Sequence, residues 1–127
     1  MVALRPRAVV LLAGINDLER GAEPRQVAER ELALVRDLRA SLPEARLVVL
    51  GLFPVGASQA RLTGRVAEVN AELEPVVRQA GATWLDVGPG LADPSGSLAA
   101  DNTTDGLHLS GKGYRIWTEA LRPYLPP

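Results

Sequence analysis

The chain carries a single histidine, His108, and it sits in "DGLH", three residues after Asp105. In a turn, a carboxylate at that spacing can accept the Nδ1–H of the imidazole, fix its tautomer and steady the imidazolium form. Nε2 is then free to act as a general base. Far upstream, "LLAGINDLER" (11–20) runs an apolar stretch into Gly14, Ile15, Asn16 and Asp17. An Asn side-chain N–H held at such a point can donate to a developing oxyanion. A base, the group that orients it and an oxyanion donor are most of an acyl-transfer site.

For these residues to meet, the elements between them must bring both stretches to one edge. Residues 8–13 and 47–52 are continuous aliphatic runs without polar alternation, the pattern of parallel strands covered on both faces. Residues 82–87 make a weaker third strand. A helix starts near Pro24, a good first-turn residue, and stops before Pro43, with Ala28, Leu32, Val35, Leu38 and Leu42 on its apolar stripe. A second runs from about Leu62 to Ala80 with Gly81 as its C-terminal cap, and Pro75 is expected to kink or divide it. A third follows Ser110 as N-cap and ends around Pro123. Between the third strand and this helix, residues 88–110 form a long irregular stretch that closes on His108. Loops of that length in compact domains are usually functional or disordered.

The order β-α-β-α-β-loop-α predicts an α/β fold, a three-layer α/β/α sandwich of the flavodoxin-like kind with a parallel sheet, in one domain over 1–127. Sites in open α/β sheets gather beyond the carboxyl ends of the strands. Asn16, Asp105 and His108 all fall at that end. Right-handed crossovers put the first two helices on one face of the sheet and leave only the last helix for the other. The first strand begins almost at Met1, so its outer edge is expected to be unpaired. The topology therefore predicts that strands of the complete fold are missing on the N-terminal side.

Composition narrows the classes of function. The hydrophobic fraction of 46% and charged fraction of 23% suit a soluble globular protein. A net charge of −1 without any basic block argues against nucleic acid or an anionic membrane as partner. No apolar run approaches the roughly 18 residues of a membrane span. Without cysteine there is no disulfide, thiolate metal site or cysteine nucleophile. The spacing of Asp101, Asn102 and Asp105 fits no calcium loop, and no metal or organic cofactor is expected.

"GIND" followed by "DGLHLSGKGY", with "ARLVVLGLFPVG" and "WLDVGPGLAD" between them, resembles the SGNH hydrolases, also called the GDSL lipase/esterase family. The resemblance runs through essentially the whole chain. It implies a serine ester hydrolase acting on a small-molecule ester, with His108 as catalytic base, Asp105 as its partner and Asn16 as oxyanion-hole donor. Gly14 matches the glycine that opens the block, and Asp17 braces the turn. The family's Gly-Asp-Ser-Leu block, with the nucleophilic Ser, has no counterpart here. None of Ser41, Ser58, Ser95, Ser97 and Ser110 lies in a strand-to-helix turn after a first strand.

The chain is accordingly expected to be the C-terminal portion of such a hydrolase, with Met1 a misplaced start, and to be inactive alone. The alternative is a non-catalytic remnant or binding module that pairs through its exposed first strand, by self-association among other routes. Localisation stays open: cytoplasmic as the chain stands, secreted if an N-terminal signal has been lost.

Overall fold

A computed structural model describes residues 6–126. Expectations placed on residues 1–5 lie outside them. Three parallel strands, β1 (Ala8–Leu11), β2 (Arg46–Leu50) and β3 (Thr83–Leu85), form a sheet in the order β1-β2-β3. The register pairs Val9 with Leu47 and Val10 with Val48, then Val49 with Trp84 on the other side of β2. The helices are α1 (Ile15–Glu19), α2 (Pro24–Ser41), α3 (Thr63–Gln79), α4 (Gly88–Leu91) and α5 (Gly111–Leu121).

Alternation along β2 divides the core. Leu47 and Val49 pack with Val27, Ala28 and Val35 of α2 and Val66, Val69, Leu73 and Val77 of α3. Val48 and Leu50 face the opposite way, towards Ile116, Trp117, Ala120 and Leu121 of α5. Burying an aliphatic side chain of this size contributes about 1.5–3 kcal/mol, so β2 anchors both layers. The first two long helices therefore share one face, as the crossover rule requires, and the result is a three-layer α/β/α arrangement. Among the described residues no strand pairs with the outer edge of β1. All four β1 residues are only half-buried, whereas Leu47–Leu50 of β2 are buried.

Several boundaries differ from the sequence expectation. β1 stops at Leu11, and Leu12 and Ala13 are exposed beyond it. β2 stops at Leu50; Leu52 instead bonds both its N–H and its C=O to the Asn70 side chain, at 2.8 and 3.0 Å. That amide stands in for a neighbouring strand. Pro75 neither divides nor ends α3, which is continuous from Thr63 to Gln79. Pro75 and Ala71, whose carbonyl loses its partner, both lie on the exposed side, where water can satisfy it. The apolar stripe of α2 is also rotated: Val27, Ala28, Glu31 and Val35 are buried, while Leu32 and Leu38 are half-buried.

Candidate active site

The chain leaves β1 at its carboxyl end and turns at Gly14, whose φ is +116°. A Cβ there would stand 2.7 Å from Val27 Cγ1, so both the backbone conformation and the space demand glycine. The short helix α1 follows, starting at Ile15 and carrying exposed Asn16 in its first turn. Leu18 N donates to the Gly14 carbonyl at 3.1 Å, and buried Leu18 seats the helix on the core. Asp17 accepts from Ala22 N through its carbonyl at 3.0 Å and lies 3.9 Å from Arg30 through its carboxylate.

The stretch from 88 to 110 is far more structured than its composition announces. Asp86 accepts from Gly88 N at 2.9 Å and opens α4. Isolated bridges join Ala92 to Leu98 and Thr103 to Leu109. Buried Asn102 donates to the Leu91 carbonyl at 2.9 Å and pins the loop to α4. Gly113 lets α5 come down onto the Asn102 carbonyl, which a Cβ would strike. Ser110 caps α5 by accepting from Gly113 N at 3.3 Å, as its position predicts.

The tip of this loop holds the dyad. The Thr103 hydroxyl accepts from Gly106 N at 2.9 Å and donates to the His108 carbonyl at 2.7 Å, closing residues 103–108 on themselves. Gly106, at φ +87°, rests on Gly56, whose N–H donates to the Gly106 carbonyl at 2.8 Å. Asp105 Oδ1 accepts the backbone N–H groups of His108 and Leu107 at 2.7 and 2.8 Å. Its Oδ2 lies 2.6 Å from His108 Nδ1. This bond leaves Nε2 without a partner in the loop.

The electrostatics follow from that geometry. The His108 N–H, the bond to its ring and the Leu107 N–H hold the Asp105 carboxyl well below the usual carboxylate range. The Asp105 bond and charge, with a smaller contribution from Glu19, raise the His108 imidazole above its ordinary value. The pair is open to solvent, with 64% of the His108 side chain exposed. Both ends of the site then line one cleft of about 230 Å³, whose walls include Gly14, Asn16, Phe53, His108, Tyr114 and Trp117. Gly14, Asn16 and His108 share this cleft, with Asp105 bonded to His108 behind it, and Asp17 is not among the lining residues.

No serine is among the described residues that line this cleft. Ser58 donates to the Asp105 carbonyl at 3.5 Å, Ser110 to the Asp101 carbonyl at 2.6 Å, and Ser95 to Asp93 at 2.6 Å with Ser97 beside it. Ser41 ends α2.

The model of the GDSL-like lipase/acylhydrolase family matches residues 1–116. The chain belongs to that family. Its kinship is with hydrolases of ester bonds, and the fold matches theirs. Subunit alpha2 of platelet-activating factor acetylhydrolase IB from Rattus norvegicus is 32% identical over 112 residues, covering 87% of this chain and 48% of that subunit. Subunit alpha1 from Homo sapiens is 35% identical, covering 96% of this chain and 52% of that one. A GDSL-like lipase from Bacteroides thetaiotaomicron superposes with a TM-score of 0.76 at 17% identity, over 93% of this chain and 61% of that one. The chain spans about half the length of the curated relatives it matches.

Sequence reasoning missed Thr103 and the Gly56–Gly106 contact, and considered Asn102 only as part of a rejected cation cluster. For Thr103 a signal existed, since a hydroxyl two residues before Asp105 can close such a turn. The glycine contact joins segments fifty residues apart and leaves no local trace.

Proposed function

We propose that this chain carries the base and oxyanion part of an ester-hydrolase site. His108 is the general base, Asp105 its orienting partner and Asn16 the oxyanion donor. The observation that carries the reading is the 2.6 Å bond from His108 Nδ1 to Asp105 Oδ2 at the mouth of the cleft that Asn16 also lines. A serine Oγ attacks the ester carbonyl carbon, and His108 Nε2 takes its proton. The carbonyl oxygen, now negative, accepts a hydrogen bond from the Asn16 amide. Collapse expels the alcohol, protonated by His108, and water repeats the sequence on the acyl-serine to release the acid.

The serine is proposed to come from a strand-to-turn segment that adds to the sheet beside β1. Support comes from the half-buried strand, exposed Leu12 beyond it and the relatives' greater length. The DNA in frame ahead of the Met1 codon tests this. An extension encoding a strand and a Gly-Asp-Ser turn is expected, and the extended protein should hydrolyse short-chain activated esters, with activity lost in His108→Ala. The 127-residue chain alone should show no His108-dependent hydrolysis. An extended protein that holds the serine yet cleaves no acyl ester would overturn the proposal. Hydrolysis by the chain alone, abolished in His108→Ala, would overturn the outside origin of the nucleophile.

A further inference from the structure

Beneath the Gly14 turn lies a group that the proposed reaction does not use. Glu31, on the buried stripe of α2, is 4% exposed, and neither carboxyl oxygen has a hydrogen-bond partner. A Cβ on Gly14 would stand 3.7 Å from Glu31 Oε2, so the carboxyl is in contact range of the glycine that launches Asn16. Val27 and Leu52 fill the rest of that space. Charged groups on the surrounding elements are engaged elsewhere. Asp17 of α1 and Arg30 of α2 face each other at 3.9 Å, and Arg65 of α3 donates to the Ala22 carbonyl at 3.5 Å. Glu19 of α1 is exposed and acts on His108.

We infer that Glu31 is a positioning residue for the oxyanion donor: its uncharged carboxyl is the floor of the Gly14–Asn16 turn, and a charge placed there displaces the turn and Asn16 with it. A buried carboxylate with no donor must draw water or a cation to itself. Glu31 Oε2 borders the space that a Cβ on Gly14 would occupy, so hydration reaches the carboxylate by lifting this turn. Burial alone pushes the Glu31 carboxyl up to about 8, so the uncharged form prevails at neutral pH. The functional meaning rests on the proposed role of Asn16, giving oxyanion stabilisation an alkaline ceiling set from α2.

The test reads Asn16 directly and needs no hydrolysis, so its failure would leave the ester-hydrolase reading standing. In NMR titrations of the 127-residue chain, the Glu31 carboxyl carbon should titrate near pH 8, with the Asn16 side-chain amide moving at the same midpoint. His108→Gln should preserve that midpoint, separating it from imidazole titration. Glu31→Gln should leave the Asn16 amide flat across the same range. A Glu31 that only fills the core would titrate without moving Asn16, and that result overturns the inference. So would an Asn16 titration that persists in Glu31→Gln, or a Glu31 midpoint in the ordinary carboxylate range. A wild-type titration in which Asn16 stays still while Glu31 titrates overturns the inference even if neither variant folds.

Discussion

Replacing Glu31 by leucine should stabilise the chain, by an amount that grows with pH. The carboxyl is raised from 4.5 to about 8 on folding. For an acid displaced upwards, the native state holds its proton where the unfolded state has lost it. Its stability is therefore complete below the unfolded value and is lost as pH rises towards the folded one. At about 1.4 kcal/mol per unit, keeping this group protonated costs about 3 kcal/mol at pH 7. Between pH 5 and 8 the cost grows by about 3–4 kcal/mol. Glu31→Leu removes that cost and adds a pH-independent gain from apolar burial. The His108 contribution is common to both proteins and cancels in the difference. Urea unfolding followed by tryptophan fluorescence at pH 5, 6, 7 and 8 measures the gap. With m of about 1–3 kcal/mol per M, the separation of the two midpoints should widen by about 1–4 M across that range. A separation that is the same at pH 5 and pH 8 would refute the reasoning, because burial would then not be holding a proton on Glu31.

Two further predictions concern the dyad and the sheet edge. In Asp105→Asn the side-chain oxygen can still accept the Leu107 and His108 N–H groups, so the loop should persist. The imidazole, however, should fall back towards its ordinary 6.5 when followed through its Cε1–H resonance. In the wild type the mutual stabilisation is complete only between the two ordinary values, 3.8 for the carboxyl and 6.5 for the imidazole. It is lost as pH falls through the perturbed value of Asp105 and again as pH rises through that of His108. An unchanged midpoint in Asp105→Asn would mean the 2.6 Å bond does not govern the base. The isolated chain should self-associate through β1, whose outer edge is unpaired among the described residues. A well-folded monomer in sedimentation would contradict this.

Much of the fold was legible because it rests on composition within short windows. The β2 run is aliphatic throughout because both faces are buried, and its neighbours announced two helices on one side and one on the other. The Asp105–His108 pair was legible for a similar reason: three residues in a turn suffice to set it. What escaped depends on contacts between distant segments. Asn70 closing the end of β2, Asn102 pinning the loop to α4 and Gly106 seated on Gly56 are each ordinary polar or small residues in their own windows. Pro75 misled because the cost of proline in a helix depends on which side it faces. Glu31 was hidden by periodicity itself. A stripe through Leu32 reads as the buried one, whereas in the fold the face through Val27, Glu31 and Val35 is buried and Leu32 lies at its margin.

These contacts divide the site into parts that depend on different things. The dyad is closed by its own loop through Thr103, the Thr103–Leu109 bridge and the bonds from Asp105 to the backbone, then anchored to the segment after β2. Nothing in that support passes through β1, so a change at the sheet edge should leave the base in place. Asn16 has no such enclosure. Its helix is five residues long, begins on a glycine in the left-handed region and rests on Val27 and Glu31 at the half-buried side of the sheet. Helices that short draw their stability from packing rather than propensity. Its position therefore depends on the unpaired carboxyl below it and on whatever pairs with the strand beside it. A segment added along β1 would complete the sheet, and Asn16 is the site residue its arrival would steady most.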